Sequence, residues 1–456
     1  MRNTITGALS MAEQFRVSVV SSRFAIMLEL IHPAVDRVRG VVSVNFESTW
    51  LIVLVAWVAL CAPCHAQSDG SVRTKTRETA SSPVALVRFQ LARDHIFVEV
   101  TVDHSRPLSM ILDSGEPFSA IDDQIADELK FTSERTAPYQ GIGNDARSQA
   151  KITERHEMDL GGVALKDISL WIMPTREFAR PTGQVVDGIL GADLFERYVV
   201  EINYAARELR LYQPEDYAVP HASNIVPLTF MTGWTVPLLQ TKITALNGDI
   251  IDTSLVFDTG SGPNYLSRSL SDAHPTMISS GKTVAGPKGF GTNGSSALLV
   301  GRVKEIQIGD LRVGEPVVLF SLDTKELAAQ ADYSGSLGGE ILEDFTIVVD
   351  YKRRNITFEP NEKFGVRAEF NMSGMHLLSD VSDLHRFEVD FVAPDSVAAR
   401  NGILVGDVVV SLNGKPASEL TLDEIGELLV RPGKIKLRMA RNGKKYGLTL
   451  RLAPRI

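Results

Sequence analysis

Two short stretches hold the residues best suited to catalysis. Each is an aspartate followed by a hydroxyl residue and a glycine, at positions 113–115 and 258–260. Two carboxylates held roughly 3 Å apart cannot both ionise, so they share one proton. One can then act as a general base toward a water molecule while the other acts as a general acid. Such a pair hydrolyses a bond with water as the nucleophile and without a covalent intermediate.

Each triplet alone is an ordinary turn signal, so the hypothesis depends on the surrounding elements. Asp113 follows the apolar run Met110–Leu112, and Asp258 follows Leu255–Phe257. Both runs are typical of buried strands. The sequence therefore predicts that both carboxylates lie in tight turns at the ends of strands.

The contexts of the two triplets repeat each other. Predicted strands with alternating apolar and polar residues precede each aspartate. A glycine-rich bend, a short element with two glycines and a further strand follow it. The second glycine of that element comes 78 residues after the aspartate in one copy (113 to 191) and 80 in the other (258 to 338). The same register aligns Gly188 with Gly335, Leu190 with Leu337, Gly191 with Gly338, Glu196 with Glu343, Tyr198 with Phe345, Tyr204 with Tyr351 and Leu209 with Ile356. This indicates an internal duplication of about 140 residues, whose two β-rich lobes are expected to pack about a pseudo-two-fold axis.

The duplicated unit resembles a lobe of the retropepsin-like aspartic proteases, present twice in one polypeptide. The resemblance covers about residues 84–364. It implies that Asp113 and Asp258 are the catalytic pair, and that the segments 189–191 and 336–338 thread behind their loops. The residues expected to support the pair are the hydroxyl residues Ser114 and Thr259, bonding across the axis, and the turn glycines Gly115 and Gly260.

Two departures from that family pattern stand out. Ser336 occupies a position where an apolar residue is expected. Glu116-Pro117 follows the first triplet and adds a carboxylate close to the pair, which is expected to disturb the shared proton.

Glycine-rich bends in both lobes are candidates for flaps that fold over an extended substrate. The glycines concerned are Gly141 and Gly143 in the first lobe, and Gly289 and Gly291 in the second. Plain hairpin turns would have the same composition, so this alternative stays open.

The C-terminal region, about residues 373–456, resembles a PDZ domain of the bacterial exported-protease type. The resemblance rests on the run from Ser396 to Gly414, above all Gly406-Asp407 followed by Asn413-Gly414. A helix is predicted over 421–430, opened by a capping box of Thr421 and Glu424. A PDZ fold implies a groove that binds an extended peptide, often through a carboxylate held by backbone N–H groups. Its expected lining is Met375, Leu377, Leu422, Ile425 and Leu429. The alternative is that these side chains belong to the core.

Composition limits the classes of partner. The chain has 456 residues and a net charge of −9, which argues against nucleic acid or an anionic membrane surface as a main partner. The nine histidines have no paired ligand spacing, so neither a metal site nor a cofactor is predicted.

The N-terminal residues 1–66 are predicted to be a signal peptide with a long n-region, cleaved after Ala66. The apolar run Trp50–Cys61 is short for a membrane span and is followed by small residues. An uncleaved membrane anchor is the alternative, and membrane association follows only in that case. Both cysteines, Cys61 and Cys64, lie in this leader. Residues 67–83 are predicted to be a flexible linker, and the Gram-negative periplasm is the expected location, with secretion as the alternative.

The expected fold is thus dominated by β structure, with two aspartic protease barrel lobes, residues 84–217 and 224–364, and a small α+β PDZ domain, residues 373–456. The favoured function is that of an exported aspartic endopeptidase whose PDZ domain binds polypeptide substrates or C-terminal peptides. The alternative is a catalytically inactive periplasmic scaffold that binds peptides through the PDZ domain. Fold alone does not choose between them.

Overall fold

The computed structural model describes residues 81–133, 135–139, 148–219, 224–291, 294–323 and 333–456. The predicted leader, most of the predicted linker, and the flap candidates Gly141 and Gly143 lie outside these ranges. Within them, no helix is both long and apolar enough to cross a membrane.

The first lobe is built of strands whose apolar residues alternate or run continuously into one core. Its strands are β1 (Ala85–Arg88), β2 (Gln90–Ala92), β3 (His95–Val102), β4 (Leu108–Leu112), β5 (Ala120–Asp122), β6 (Arg135–Tyr139), β7 (Ser148–Leu160), β8 (Val163–Met173), β9 (Gly188–Leu190), β10 (Val199–Asn203) and β11 (Glu208–Tyr212). Its helices are α1 (Asp123–Glu128), α2 (Ala179–Thr182) and α3 (Ala192–Phe195), with a 3-10 turn at Thr175–Phe178. Strands β2 to β9 form one eight-stranded sheet.

The second lobe repeats the order of elements. Its strands are β12 (Ile225–Phe230), β13 (Pro237–Thr244), β14 (Ile250–Phe257), β15 (Tyr265–Leu266), β16 (Val284–Ala285), β17 (Gly289–Gly291), β18 (Gly294–Ser296), β19 (Leu298–Arg302), β20 (Glu305–Ile308), β21 (Leu311–Gly314), β22 (Val317–Ser321), β23 (Gly335–Leu337), β24 (Phe345–Asp350) and β25 (Asn355–Pro360). Its helices are α4 (Arg268–Ala273), α5 (Thr276–Ser279) and α6 (Gly339–Leu342).

The lobes meet in a shared sheet whose strand order is symmetric. The order β1-β11-β10 from the first lobe continues as β24-β25-β12 from the second. The central pair, β10 and β24, is antiparallel, with Val200 opposite Val349 and Ile202 opposite Ile347. Buried residues of both lobes form one continuous hydrophobic cluster behind this sheet. The two copies are therefore related by a pseudo-two-fold axis between β10 and β24.

The segment Val87–Leu91, in which apolar and polar residues alternate, is divided between two sheets at Phe89. The Phe89 ring is buried and packs edge-on against Tyr204 at 6.0 Å between centroids. Its N–H donates to Arg207 O at 3.1 Å, which turns the chain from β1 into β2. Alternation in the sequence shows which residues face inward but not where a strand changes sheets.

The C-terminal region forms a sheet of its own with a separate core. Its strands are β26 (Met375–Asp380), β27 (Asp383–Val392), β28 (Val408–Leu412), β29 (Lys415–Pro416), β30 (Gly433–Arg441) and β31 (Lys444–Leu452), and its helices are α7 (Val397–Arg400) and α8 (Leu422–Leu429), with a 3-10 turn at Ala417–Glu419. The capping box at the start of α8 is present as predicted.

The Gly406-Asp407 motif has a structural role in this region. The Asp407 carboxylate is buried and accepts hydrogen bonds from Arg441 Nε at 2.6 Å, Tyr446 Oη at 2.6 Å and Leu404 N at 2.8 Å. The charge-assisted bonds outweigh burial and hold the pKa of Asp407 below its usual range. Asn413 and Gly414 both adopt positive φ, at 50° and 90°, in the turn between β28 and β29.

Candidate active site

Both aspartates emerge from the same strand arrangement. β4 runs parallel to β9, and the Asp113 N–H continues the ladder by donating to Leu190 O at 3.0 Å. In the second lobe β14 runs parallel to β23, and the Asp258 N–H donates to Leu337 O at 3.1 Å. The strand that carries each aspartate is thus held by a short parallel strand of its own lobe, β9 before Gly191 in the first and β23 before Gly338 in the second.

Ser114 and Thr259 join the two turns through reciprocal hydrogen bonds. The Ser114 N–H donates to Thr259 Oγ1 at 3.0 Å, and the Thr259 N–H donates to Ser114 Oγ at 3.1 Å. The hydroxyls donate in turn, Ser114 Oγ to Phe257 O at 2.7 Å and Thr259 Oγ1 to Leu112 O at 2.8 Å. Both hydroxyl residues are fully buried, so each bond is protected from water. This arrangement fixes the separation of the two loops.

The two carboxyl groups face each other at the axis. Each accepts a hydrogen bond from the glycine two residues later, Asp113 Oδ1 from Gly115 N at 2.8 Å and Asp258 Oδ1 from Gly260 N at 3.1 Å. A β-carbon at Gly115 would lie 2.8 Å from Asp258 Oδ1, and one at Gly260 would overlap the Asp113 carboxyl group. Glycine is required at both positions because the opposite carboxylate occupies the space of a side chain.

Burial sets the protonation of the pair. Desolvation raises the pKa of Asp113 to about 6, against the opposing effect of the Gly115 and Glu116 N–H groups. Burial and then the charge of Asp113 raise the pKa of Asp258 well above its usual range. The pair therefore holds one proton over a window above about pH 6, and the two apparent pKa values belong to the pair rather than to either residue.

The departure at Glu116 also lies at this site. Its side chain lines the same cavity as the pair, and burial followed by the charges of Asp113 and Asp258 raises the pKa of Glu116 well above its usual range. Three carboxyl groups thus compete for protons. When Glu116 ionises, its charge opposes loss of the last proton from the pair.

Replacing Glu116 with glutamine is expected to move the alkaline limb of the kcat/KM profile to lower pH, by on the order of one pH unit. Glutamine carries no charge, so the pair releases its remaining proton more readily. The measurement is the pH dependence of peptide hydrolysis, and Glu99→Gln, on the exposed side of β3, is the matched control. An alkaline limb that stays in place or moves to higher pH would contradict this role.

One flap candidate pair lies at the site. Gly289 and Gly291 belong to the two-stranded hairpin β17–β18 and line the cavity that contains the aspartates. A β-carbon at Gly289 would lie 2.5 Å from Tyr265 Oη, which places the hairpin against the second lobe's wall. In the first lobe β6 pairs antiparallel with β7, and Tyr139 at the end of β6 lines the same cavity.

Two positioning residues were not identified from the sequence. Gly191 N donates to Ser119 Oγ at 3.2 Å, and Gly338 N donates to Asn264 Oδ1 at 3.0 Å. Both side chains are buried and hold the start of the short helix behind each aspartate turn. The repeat could have identified them, because Ser119 and Asn264 each lie six residues after the aspartate of their own lobe (113 to 119, 258 to 264).

A cavity of about 920 Å³ contains the aspartates and continues to the C-terminal region. Four of the five predicted groove residues, Leu377, Leu422, Ile425 and Leu429, are instead packed in the core of that region. Met375 is also in this core, yet it lines the cavity together with Asp423, Gly426 and Val430 of the α8 segment. The apolar positions of α8 thus face the core, and the positions that line the cavity each lie one residue further along the chain.

Comparison with known proteins identifies two segments. Residues 98–194 match the family described as aspartyl protease, and residues 388–441 match the PDZ domain family.

The periplasmic serine endoprotease DegP of Escherichia coli K12 is 34% identical over 94 residues, which cover 19% of this chain and 20% of DegP. A probable serine protease do-like protein of Buchnera aphidicola is 35% identical over 94 residues, again covering 19% of this chain and 20% of that protein. The chain thus spans about a fifth of the length of these curated relatives. Among solved structures, the aspartic proteinase of Irpex lacteus matches with a TM-score of 0.40 and 11% identity, over 62% of this chain and 98% of that one.

Proposed function

We propose that this chain, which carries an aspartyl protease domain and a PDZ domain, is an endopeptidase that uses Asp113 and Asp258 to hydrolyse peptide bonds. The observation that supports this most is the reciprocal bonding of Ser114 and Thr259, because it brings two carboxyl groups together at the wall of a cavity of about 920 Å³.

The chemistry follows from the shared proton. The ionised carboxylate removes a proton from a water molecule, whose oxygen attacks the peptide carbonyl carbon. The protonated partner donates its proton to the carbonyl oxygen, so the tetrahedral intermediate carries no net charge from the attack. The carboxyl group that took the water proton then donates it to the amide nitrogen. As the C–N bond breaks, the other carboxylate accepts a proton from the intermediate's hydroxyl group, which restores the pair with one proton. The fixed turns supply orientation, and the hairpin β17–β18 is suited to cover the substrate.

The division of the chain and its location belong to the same proposal. Residues 84–217 and 224–364 are the two catalytic lobes, and residues 373–456 bind the polypeptide substrate. Residues 1–66 direct export, with residues 67–83 as a linker. The name of the DegP relatives, which describes them as periplasmic, supports the periplasm as the location.

The second candidate is an inactive scaffold that binds peptides through its PDZ domain. Glu116 is the observation that favours it, because a third carboxyl group beside the pair alters the number of protons that the site holds. Both aspartates, both glycines and both hydroxyls of the two turns are nevertheless present, and a scaffold requires none of them.

Purified protein comprising residues 67–456, incubated with a reduced unfolded protein, tests the proposal. Cleavage by the wild type that is lost in Asp113→Asn is the expected result. Cleavage that persists undiminished in Asp113→Asn would exclude the pair as the catalyst. Intact peptide binding without cleavage would favour the scaffold.

A further inference from the structure

Ser336 departs from the apolar pattern of the duplicated lobes at a position close to the second aspartate turn. It lies on β23, opposite Val256 of β14 and Tyr265 of β15. The equivalent residue of the first lobe is Ile189 on β9, opposite Ile111 of β4. The duplication thus places a hydroxyl group in one lobe where the other lobe has an aliphatic side chain.

The Ser336 side chain shares a face of the sheet with Asp258. Residues directly opposite on paired strands point to one face, and so do residues two positions apart along a strand. Ser336 therefore shares a face with Val256, and Val256 shares it with Asp258, which directly follows β14. Val256 and Asp258 both line the cavity, whereas Phe257 between them is in the core. The bond from Asp258 N to Leu337 O keeps the two strands in register up to the aspartate.

The Ser336 hydroxyl is buried without a hydrogen-bond partner. The residue is 1% exposed, and among the described residues its Oγ has no partner with hydrogen-bond geometry. A buried hydroxyl that lacks a partner is destabilising, and an apolar residue such as Ile189 avoids that cost. The hydroxyl at this position therefore calls for a functional explanation.

Two polar groups lie close enough to this hydroxyl to interact with it, the Asp258 carboxyl and the Tyr333 phenol. Burial and then the charge of Asp113 raise the pKa of Asp258, whereas the Gly260 N–H and the Ser336 hydroxyl lower it. Burial followed by the charge of Asp258 raises the pKa of Tyr333, so this phenol stays protonated and remains a donor. Hydrogen bonds at active sites are often long or misaligned in the free enzyme and tighten during the reaction, which accounts for a hydroxyl beside an acceptor that it does not yet bind.

The other titratable groups that interact electrostatically with Asp258 come from both lobes. Burial raises the pKa of the phenols among them, so these are uncharged where the pair titrates: Tyr204 after β10, Tyr265 of β15 and Tyr333 before β23. The charges that change near Asp258 in that range belong to Asp113 and Glu116, on the turn of the first lobe. A substitution at Ser336 leaves all of these groups in place.

We propose that Ser336 is a positioning residue of the catalytic pair, whose hydroxyl donates a hydrogen bond to the ionised Asp258 carboxylate and accepts one from Tyr333. A bond to a charged acceptor is about twice as strong as one between neutral groups, so the serine favours the ionised form of Asp258. The bond from Tyr333 directs the Ser336 proton toward the carboxylate. The effect on hydrolysis rests on the proposed peptidase function, whereas the hydrogen bond itself does not.

Ser336→Val and Ser336→Thr test the proposal as a matched pair, because their side chains have the same shape and differ in the hydroxyl group. The equivalent position of the first lobe already holds a β-branched residue, Ile189. We expect Ser336→Val to move the alkaline limb of the kcat/KM profile to higher pH by about one pH unit, since the last proton of the pair is then lost less readily. Ser336→Thr should keep the limb close to its wild-type position.

Two further variants separate the hydrogen bond from other effects of substitution. Tyr333→Phe removes the donor to Ser336 and should move the alkaline limb in the same direction by less. Ser254→Ala, on the strand that leads to Asp258, removes a hydroxyl that binds Gln240 at the surface and should leave the limb in place. A limb that stays in place or moves to lower pH in Ser336→Val, or that moves equally in Ser336→Val and Ser336→Thr, would overturn the assignment.

Carbon-13 NMR of the aspartate carboxyl carbons measures the same shift without turnover. The Asp258 signal is the one that disappears in Asp258→Asn, and its titration midpoint should rise by about one pH unit in Ser336→Val but not in Ser336→Thr. That rise, together with no cleavage by the wild type, would support the role of Ser336 and reject the peptidase function. Cleavage by the wild type with an unchanged midpoint in Ser336→Val would overturn the role of Ser336 and leave the peptidase function standing.

Discussion

Asp258→Asn is expected to lower kcat/KM for peptide hydrolysis by about 10³-fold or more. The asparagine amide has nearly the same shape and keeps an oxygen that can accept the bond from Gly260 N, now 3.1 Å long. It cannot share a proton with Asp113, so the pair loses both its general base and its general acid forms. The measurement is steady-state cleavage of a fluorogenic peptide that the wild type hydrolyses.

The matched control for this substitution is Asp252→Asn on the same strand, β14. Asp252 is exposed and pairs with Lys242 at the surface, where an ion pair contributes little. Its activity should stay close to that of the wild type. An Asp258→Asn enzyme that retains a tenth or more of wild-type activity, by order of magnitude, would exclude the shared-proton mechanism.

Thr259→Val is expected to destabilise the lobes by about 2–4 kcal/mol and to abolish activity. Valine matches threonine in shape but leaves the buried Ser114 N–H and Leu112 carbonyl without their partner at 3.0 and 2.8 Å. Thr259→Ser keeps the hydroxyl and should remain within about 1 kcal/mol of the wild type. Urea denaturation followed by tryptophan fluorescence measures this, because Trp171 and Trp234, the tryptophans after residue 80, both lie in the lobes.

A Thr259→Val protein with wild-type stability would mean that the bonds between the two turns are not needed to hold the lobes together. Equal destabilisation by Thr259→Ser, which keeps the hydroxyl, would mean that the fit of the side chain at this position, rather than the hydroxyl's hydrogen bonds, sets the stability. Either result would remove the physical reason for two aspartates lying at one site.

The sequence predicted the parts of the site that depend on repetition. Asp113 and Asp258 could be paired because their surroundings recur in one register, and the strand order of the shared sheet, symmetric about β10 and β24, has the same origin. The fold class was also recoverable, since alternation and turn residues define strands locally. The C-terminal helix was predicted from its capping box for the same reason.

Contacts between distant segments were not predictable. The bond from Arg93 N to Asp423 joins residues 330 positions apart and is one of the contacts between the lobes and the C-terminal region. Leu422, Ile425 and Leu429 have the spacing of an apolar face, which suits a core as well as a groove, and only packing distinguishes the two.

The pH dependence of kcat/KM between about pH 3 and 8 tests the central claim, one proton shared by Asp113 and Asp258, most directly. The account predicts a profile with an acid limb near pH 6, where the pair loses its first proton and becomes active, since burial raises the pKa of Asp113 to about 6. That limb should be absent from any residual activity of Asp113→Asn. Hydrolysis that is independent of pH across this range, or an acid limb that persists in Asp113→Asn, would contradict the account.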